Sequence, residues 1–149
     1  MIYREGSLED VENILTLGCT MHGESEFAGM DWNPEKVRAW ITMNVNSPDR
    51  LVLCAYDEDE LVGMHISGIS KFYFGNSTLS QDYLWYVRED YRGTRTGIKL
   101  LKMYMNWAKS RGVNRIQAGV STGITMNRTG DLLVRLGFQQ IGGLYKVDI

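Results

Sequence analysis

A basic, glycine-containing turn from Arg88 to Gly97 separates an apolar run from a helix-like pattern near the middle of the chain. Backbone amides that open a helix lack partners within it, and the helix dipole adds partial positive charge there. Residues 88–102 carry five cations and two acids, hence +3, whereas the whole chain carries −2. Such a turn can bind a pyrophosphate, and a positive field within an acidic chain favours a small polyanion over a nucleic-acid backbone. A solvated basic helix face beside an ordinary turn is the alternative.

The hydrophobic pattern predicts the elements that must position this turn. We expect strands at 2–4, 51–56, 61–69, 82–87, 115–120, 138–141 and 144–147. Helices are predicted to begin at the caps Ser7 and Asn33, and to span 96–110 and 126–136. Residues 82–87 are apolar on both faces, which is typical of a central strand. This order predicts an α/β (α+β) fold, with one mixed sheet and helices on both faces.

Length and composition set the class of protein. The 149 residues are 44% hydrophobic and 23% charged, as expected for a single domain over residues 1–149. No apolar run has the ~18 residues of a membrane helix, and residues 1–6 do not resemble a signal peptide. Two cysteines and two histidines provide neither a disulfide framework nor a metal-ligand spacing. We therefore expect a cytoplasmic protein that binds no metal, membrane or nucleic acid.

The turn resembles motif A of the GNAT superfamily of N-acetyltransferases, which reads Arg/Gln-x-x-Gly-x-Gly/Ala after a buried strand. Arg92 and Gly97 match its ends, whereas Arg95 stands where the middle glycine is usual. The predicted order of elements fits the GNAT fold, a mostly antiparallel central sheet flanked by helices, and residues 135–138 (Arg-Leu-Gly-Phe) resemble the family's helix exit. Residues 22–25 and 119–124 are similar to small acetyltransferase-like proteins of bacteriophages and prophages.

This resemblance implies acetyl transfer from acetyl-coenzyme A to an amine by direct attack within a ternary complex. It assigns the pantetheine arm to Tyr86 and Val87, beside a bulge in their strand, and a further cofactor contact to Asn127. The amides that would hold the pyrophosphate are those of Arg92, Gly93, Thr94, Arg95, Thr96 and Gly97.

Three residues are candidates for the base that accepts the proton of the amine. The resemblance suggests Asp82, early on the central strand, and Glu24, in the loop that lines the acceptor site. His22 is the third candidate, because its charge changes readily near neutral pH. The residues predicted to contact the acceptor are His22, Glu24, Ser25 and Phe27. Apolar side chains that include Tyr73 and Phe74 are also expected on the acceptor side, and the acids nearby favour a cationic amine.

Many GNAT proteins place a proton-donating tyrosine four residues before the glycine of the helix exit, where this chain has Leu133. Tyr145 or Tyr86 could serve instead, or the enzyme could be slow. The alternative function is a catalytically inactive GNAT-fold protein that binds acyl-coenzyme A or a partner. A P-loop site is disfavoured because no Gly-Lys-Ser/Thr follows the turn. The resemblance leaves a homodimer open.

Overall fold

The computed structural model describes residues 1–149, which form one five-stranded mixed sheet flanked by helices. The strands lie in chain order and are antiparallel, except that the last pair is parallel. They are β1 (Ile2–Glu5), β2 (Arg50–Asp57), β3 (Glu60–Lys71), β4 (Thr78–Val87) and β5 (Arg115–Gln117). The predicted hairpin and the predicted central strand are confirmed, with β4 lying between β3 and β5.

Four α-helices cover the sheet: α1 (Val11–Glu24), α2 (Pro34–Asn46), α3 (Thr96–Ser110) and α4 (Met126–Arg135). The second begins as its sequence predicts, because the side chain of Asn33 accepts a hydrogen bond from the amide of Lys36 (3.1 Å) and Pro34 occupies the first turn. None of the helices combines the length and apolar character needed to cross a bilayer.

Alternate side chains of the central strands divide the core into two layers. Met64 and Ile66 of β3 point toward α1 and α2 and share one cluster with Ile14 and Ile41. The opposite face of the sheet packs against α3, where Gly63 leaves room for the side chains of Thr96 and Leu100. Leu133 of α4 joins this second cluster. The two layers hold α1 and α3 on opposite faces of β4.

The prediction of strands at 138–141 and 144–147 is wrong, because residues 136–149 contain no helix or strand. A strand needs a partner edge, and β5 offers only three residues because it ends at Gln117 rather than at Val120. The segment also contains Gly142 and Gly143, which disfavour strand formation. From Ile141 onward its apolar side chains are exposed; Tyr145 is 94% exposed and Val147 is 83% exposed.

The start of α1 is held by a buried carboxylate. Asp10, 2% exposed, accepts two hydrogen bonds from the guanidinium of Arg4 (2.7 and 2.8 Å) and one from the hydroxyl of Tyr56 (2.7 Å). The same carboxylate accepts the amide of Ser7 (2.7 Å). These bonds, that of Arg4 first, hold the pKa of Asp10 well below its usual range. The network ties the first helix to β1 and β2.

Asp10→Asn should lower the free energy of unfolding at pH 7 by about 1–3 kcal/mol, because the buried side chain loses its charge-assisted hydrogen bonds with Arg4, which is itself partly solvated. The pKa of Asp10 is lower in the folded state than in the unfolded state. The ionised carboxylate therefore stabilises the fold above the unfolded pKa of ~4, and this stabilisation is lost as the pH falls from there toward the folded pKa. Urea unfolding at pH 7 and pH 3 measures both effects. Glu12→Gln, at an exposed ion pair with Arg38, is the control and should change nothing measurable. Equal stability of Asp10→Asn and wild type at pH 7 would contradict this role.

Candidate active site

The sheet opens between its last two strands. β4 and β5 pair only at Leu79↔Arg115, Ser80↔Ile116 and Gln81↔Gln117. From Asp82 onward β4 has no strand partner on that side, and the amide of Gly119 donates instead to Oδ1 of Asp82 (2.8 Å). We call this opening, between residues 82–87 and 118–124, the wedge. Asp82 stands at its apex.

A bulge in β4 sets which groups face the wedge. Ile66 pairs with Leu84 and Ser67 with Asp82, which leaves Tyr83 as the extra residue. Nearer the end of the strand, the amide of Arg88 donates to the carbonyl of Val62 in β3 (2.9 Å).

Hydrogen bonds of an antiparallel pair alternate along a strand, so the backbone groups of Tyr86 also face β3. Those of Trp85 and Val87 therefore face the wedge. The sequence assigned Tyr86 to the pantetheine arm, but its backbone groups are turned toward β3. Tyr86 can therefore contribute its side chain to the site and not its backbone.

The basic turn ends in a set of free donors. The amides of Gly93, Arg95, Gly97 and Ile98 make no hydrogen bond within the chain, whereas that of Thr96 donates to Oγ1 of Thr94 (3.3 Å). The turn requires glycine at 93, where φ is +85°. At Arg95 φ is −78°, a value that any residue adopts. This position, where the motif usually has its middle glycine, therefore does not require glycine in this chain. Helix α3 starts there and adds its dipole.

Arg128 lies on this turn, and the sequence analysis did not identify it. A Cβ atom at Gly93 would be 3.1 Å from Nη2 of Arg128, so the guanidinium covers the glycine. Neither Arg128 nor Arg95 forms an ion pair with a carboxylate, unlike Arg88 and Arg92. A cation in the first turn of a helix opposes the helix dipole, and Arg128 stands there in α4. That placement was the signal available in the sequence.

Arg92 connects the turn to the first helix. Its Nε donates to the carbonyl of Val87 (3.0 Å), and its guanidinium pairs with Glu24 at the end of α1. The same group lies over the ring of Tyr86 at 5.4 Å. The guanidinium of Arg92, at the first position of the motif, is thus already held by the protein. Glu24, a predicted acceptor residue, is the partner that holds it.

The segment after α1 closes one side of the wedge. The amide of Glu26 donates to the carbonyl of Thr122 (2.8 Å), which joins this segment to the loop after β5. Ser25 uses its hydroxyl locally, donating to the carbonyl of His22 and accepting from the amide of Phe27. The structure therefore brings these predicted acceptor residues to the wedge, although the hydroxyl of Ser25 is committed to the turn.

His22 packs its ring against Trp32 at 5.3 Å, and its Nε2 is buried without a hydrogen-bond partner. Tyr73 and Phe74 do not join this region, contrary to the prediction. They lie in the turn between β3 and β4, and the stretch of β4 from Thr78 to Asp82 alone separates them from the apex of the wedge by about 13 Å. Both side chains are exposed there.

Asp82 has the pKa of a group that can exchange a proton near neutral pH. Burial raises its pKa to about 6, although the hydrogen bond from Gly119 acts in the opposite direction. No cation perturbs it. A carboxylate of this kind at the apex of the wedge is a candidate general base.

The remaining predicted residues occupy less protected positions or point elsewhere. Asn127 is exposed in the first turn of α4, and the 94% exposure of Tyr145 gives it no shielded position from which to donate a proton. Leu133 is 7% exposed and packs in the layer under α3. The hydroxyl of Tyr86 is buried without a hydrogen-bond partner, and burial, with Glu24 nearby, raises its pKa above the usual value.

Comparison with known proteins gives a family match over most of the chain. The model of the acetyltransferase (GNAT) family matches residues 14–138. No curated protein sequence matches the chain.

Solved structures share the fold at low sequence identity. A tetramutant of the BH1408 protein from Bacillus halodurans superposes with a TM-score of 0.81 at 17% identity, over 100% of each chain. An aminoglycoside 6′-N-acetyltransferase from Acinetobacter haemolyticus gives 0.76 at 15% identity, over 100% of this chain and 98% of the other. A ribosomal-protein-alanine N-acetyltransferase from Brucella melitensis gives 0.72 at 15%, over 100% of both. These similarities show the mixed α/β fold predicted from the sequence.

Asp82→Asn should stabilise the protein at high pH. Because the folded pKa, about 6, exceeds the unfolded value of ~3.9, the ionised carboxylate destabilises the fold as the pH rises through 6. The variant should therefore gain about 1–3 kcal/mol of unfolding free energy at pH 8 and much less at pH 4. Denaturant unfolding across this range tests the prediction, with the exposed Asp131→Asn as control. Parallel pH profiles for wild type and Asp82→Asn would show that Asp82 does not titrate in this way.

Proposed function

Because the chain belongs to the acetyltransferase (GNAT) family, we propose that it transfers an acetyl group from acetyl-coenzyme A to an amine within a ternary complex. The observation that carries this proposal is the wedge, which opens at the half-buried carboxylate of Asp82 and leads along β4 toward the four unpaired amide donors of the turn. The wedge offers the backbone groups of Trp85 and the amide of Val87 to an extended pantetheine arm, since the carbonyl of Val87 already accepts from Arg92. The unpaired amides, with Arg95 and Arg128, offer a positive site for the pyrophosphate.

The proposed chemistry needs a base and a shielded reaction centre. When bound, the thioester supplies the acetyl group: the amine nitrogen bonds to the carbonyl carbon, and the carbon–sulfur bond breaks. A cationic acceptor first loses one proton to solvent, because only the neutral nitrogen has the lone pair to attack. The nitrogen becomes acidic as its new bond forms, and Asp82 accepts the second proton. A carboxylate with a pKa of about 6 is ionised at neutral pH and therefore ready for this role.

Two tyrosines are candidates to protonate the departing sulfur. Tyr86 has its hydroxyl buried at the end of β4, and its raised pKa keeps the proton in place at neutral pH. Tyr145 lies in the exposed segment. A thiol with a pKa of ~8.5 is also a fair leaving group by itself, so the reaction does not depend on either.

We propose a cationic amine as the acceptor. Asp31, in the segment that closes the wedge, is exposed and adds negative charge on that side, whereas Glu26 pairs with Lys146 (3.3 Å). Glu24 is less available because Arg92 neutralises it. Local negative charge therefore favours a cationic amine, either a small molecule or a protein amine, as the acceptor.

The second candidate function is a protein that binds acyl-coenzyme A without turnover. The observation that favours it is Leu133, which fills the usual position of a tyrosine with a buried apolar side chain. The two candidates agree on cofactor binding and differ in catalysis.

Calorimetry with acetyl-coenzyme A, followed by an amine screen read out as free thiol release, distinguishes these functions. We expect selective binding of acetyl-coenzyme A over ATP, and turnover whose rate rises with pH through about 6 because Asp82 must be ionised. Asp82→Asn should retain binding and lose about 10²–10⁴-fold in turnover. Binding without turnover of any amine supports the second candidate, and absence of binding at millimolar ligand contradicts both.

Arg128→Ala should weaken binding of acetyl-coenzyme A roughly ten- to hundredfold, because it removes charge-assisted hydrogen bonds to the pyrophosphate. Arg135→Ala is the matched control, since Arg135 is exposed at the other end of the same helix and bonds only the carbonyl of Asp131. Dephospho-coenzyme A, which keeps the pyrophosphate and lacks the 3′-phosphate, should show the same loss. If affinity falls only for coenzyme A that carries the 3′-phosphate, Arg128 binds that phosphate and not the pyrophosphate.

A further inference from the structure

A polar cluster lies beneath α3, on the same face of the sheet as Asp82. His65 and Ser67 are alternate residues of β3, and Ser67 pairs directly with Asp82 across the strands. The hydroxyl of Tyr104 in α3 lies within hydrogen-bond distance of Oγ of Ser80 (3.0 Å) and of the carbonyl of Gln117 (2.8 Å). We call these five side chains, His65, Ser67, Ser80, Asp82 and Tyr104, the interior polar cluster.

Two members of the cluster lack the partners that buried polar groups normally have. His65 and Ser67 are both 0% exposed, yet neither ring nitrogen of His65 nor Oγ of Ser67 has a hydrogen-bond partner. Burial lowers the pKa of His65 to about 3, so the ring is neutral and still carries one N–H donor. An unsatisfied donor in the interior costs about 1–3 kcal/mol, and three such atoms together point to a shared ligand.

The register of β3 and β4 places these side chains on the face that Asp82 shares. Ser67 lies directly opposite Asp82, where Cβ atoms are ~5 Å apart, and His65 is the next residue of β3 on that face, with its ring against Tyr104 (4.6 Å between centroids). Oδ1 of Asp82 accepts a hydrogen bond from the amide of Gly119, and the amide of Asp82 itself also favours the anion. No side chain donates to this carboxylate, which leaves room for a further donor.

We propose that His65 and Ser67 are positioning residues for Asp82, and that together they hold one buried water molecule that donates to its carboxylate. This inference rests on the proposed function only for its catalytic meaning, since the binding of water is a property of the resting protein. The bonds from Gly119 and from the water fix the direction of the carboxylate at the apex of the wedge. They also favour its ionised form against the cost of burial.

Apart from the backbone amide of Asp82 itself, which also favours the anion, the groups that face this carboxylate are neutral. From β3 they are Ser67 and His65, and from α3 the hydroxyl of Tyr104, which Ser80 and Gln117 engage. The loop after β5 presents only the amide of Gly119. No lysine or arginine shifts the pKa of Asp82.

Titration of Asp82 by carbon-13 NMR of its carboxyl group tests the proposal without any need for turnover. Ser67→Ala should raise the midpoint by about 0.5–1 pH unit, a three- to tenfold higher proton affinity, because the anion loses a donor. His65→Leu should also raise the midpoint of Asp82. His65→Asn, which keeps an amide donor, should raise it less. Ser110→Ala, at the exposed end of α3, is the control and should leave the midpoint unchanged.

Stability measurements separate the proposal from a dry cluster. If the hydroxyl of Ser67 is bare, Ser67→Ala removes an unsatisfied group, so the protein becomes more stable while the Asp82 midpoint stays fixed. That pair of results would overturn the proposal. A shifted midpoint in a protein that turns over no amine would retain the water site and reject the proposed function instead.

Discussion

The early separation of β4 from β5 is the constraint on which the rest of this structure depends. Parallel strands gain stability by continuing to pair, yet these two stop after three residues, and the carboxylate of Asp82 takes the amide of Gly119 that a continued pairing would have used otherwise. This exchange leaves backbone groups of β4 unpaired in the interior of a sheet, where they need a partner. An extended ligand that adds as a strand satisfies them, so the opening is itself a recognition surface.

A comparison of Asp10 with Asp82 shows how the separation of β4 from β5 lowers the stability of the fold. Asp10 receives a bidentate arginine, and its pKa falls; Asp82 receives one amide and no cation, and its pKa rises to about 6. The first arrangement stabilises the fold, and the second destabilises it at neutral pH. A base must bind a proton reversibly at working pH, which the bidentate arginine of Asp10 prevents. The structure accordingly keeps cations away from Asp82 and surrounds it with neutral polar groups.

The parts of the fold that the sequence predicted are those that local pattern determines. The cap at Asn33, the hairpin of β2 and β3, and the helix from Thr96 follow from residues within one or two turns. The first helix, predicted to begin at Ser7, opens instead with a 3-10 turn at Leu8–Asp10, and its α-helical part starts at Val11. The strands predicted after Phe138 depended on a partner edge, which β5 is too short to offer. Arg128 was not found because its contact with Gly93 joins two helix starts that are distant in sequence. Assignment of Asp82 rested on family resemblance, and the phage-like resemblance of residues 22–25 stays a prediction.

The arginines of the turn show why a motif match constrains backbone more than side chains. Arg92 occupies its motif position, but Glu24 and the carbonyl of Val87 hold its guanidinium. Arg95 replaces a glycine without strain, because φ there is −78° and the left-handed turn falls at Gly93 instead. The cations left unpaired at the free amides are Arg95 and Arg128, one outside the motif pattern and one on another helix. For a pyrophosphate the backbone donors supply the geometry, and the positive charge can therefore come from any element that reaches the turn.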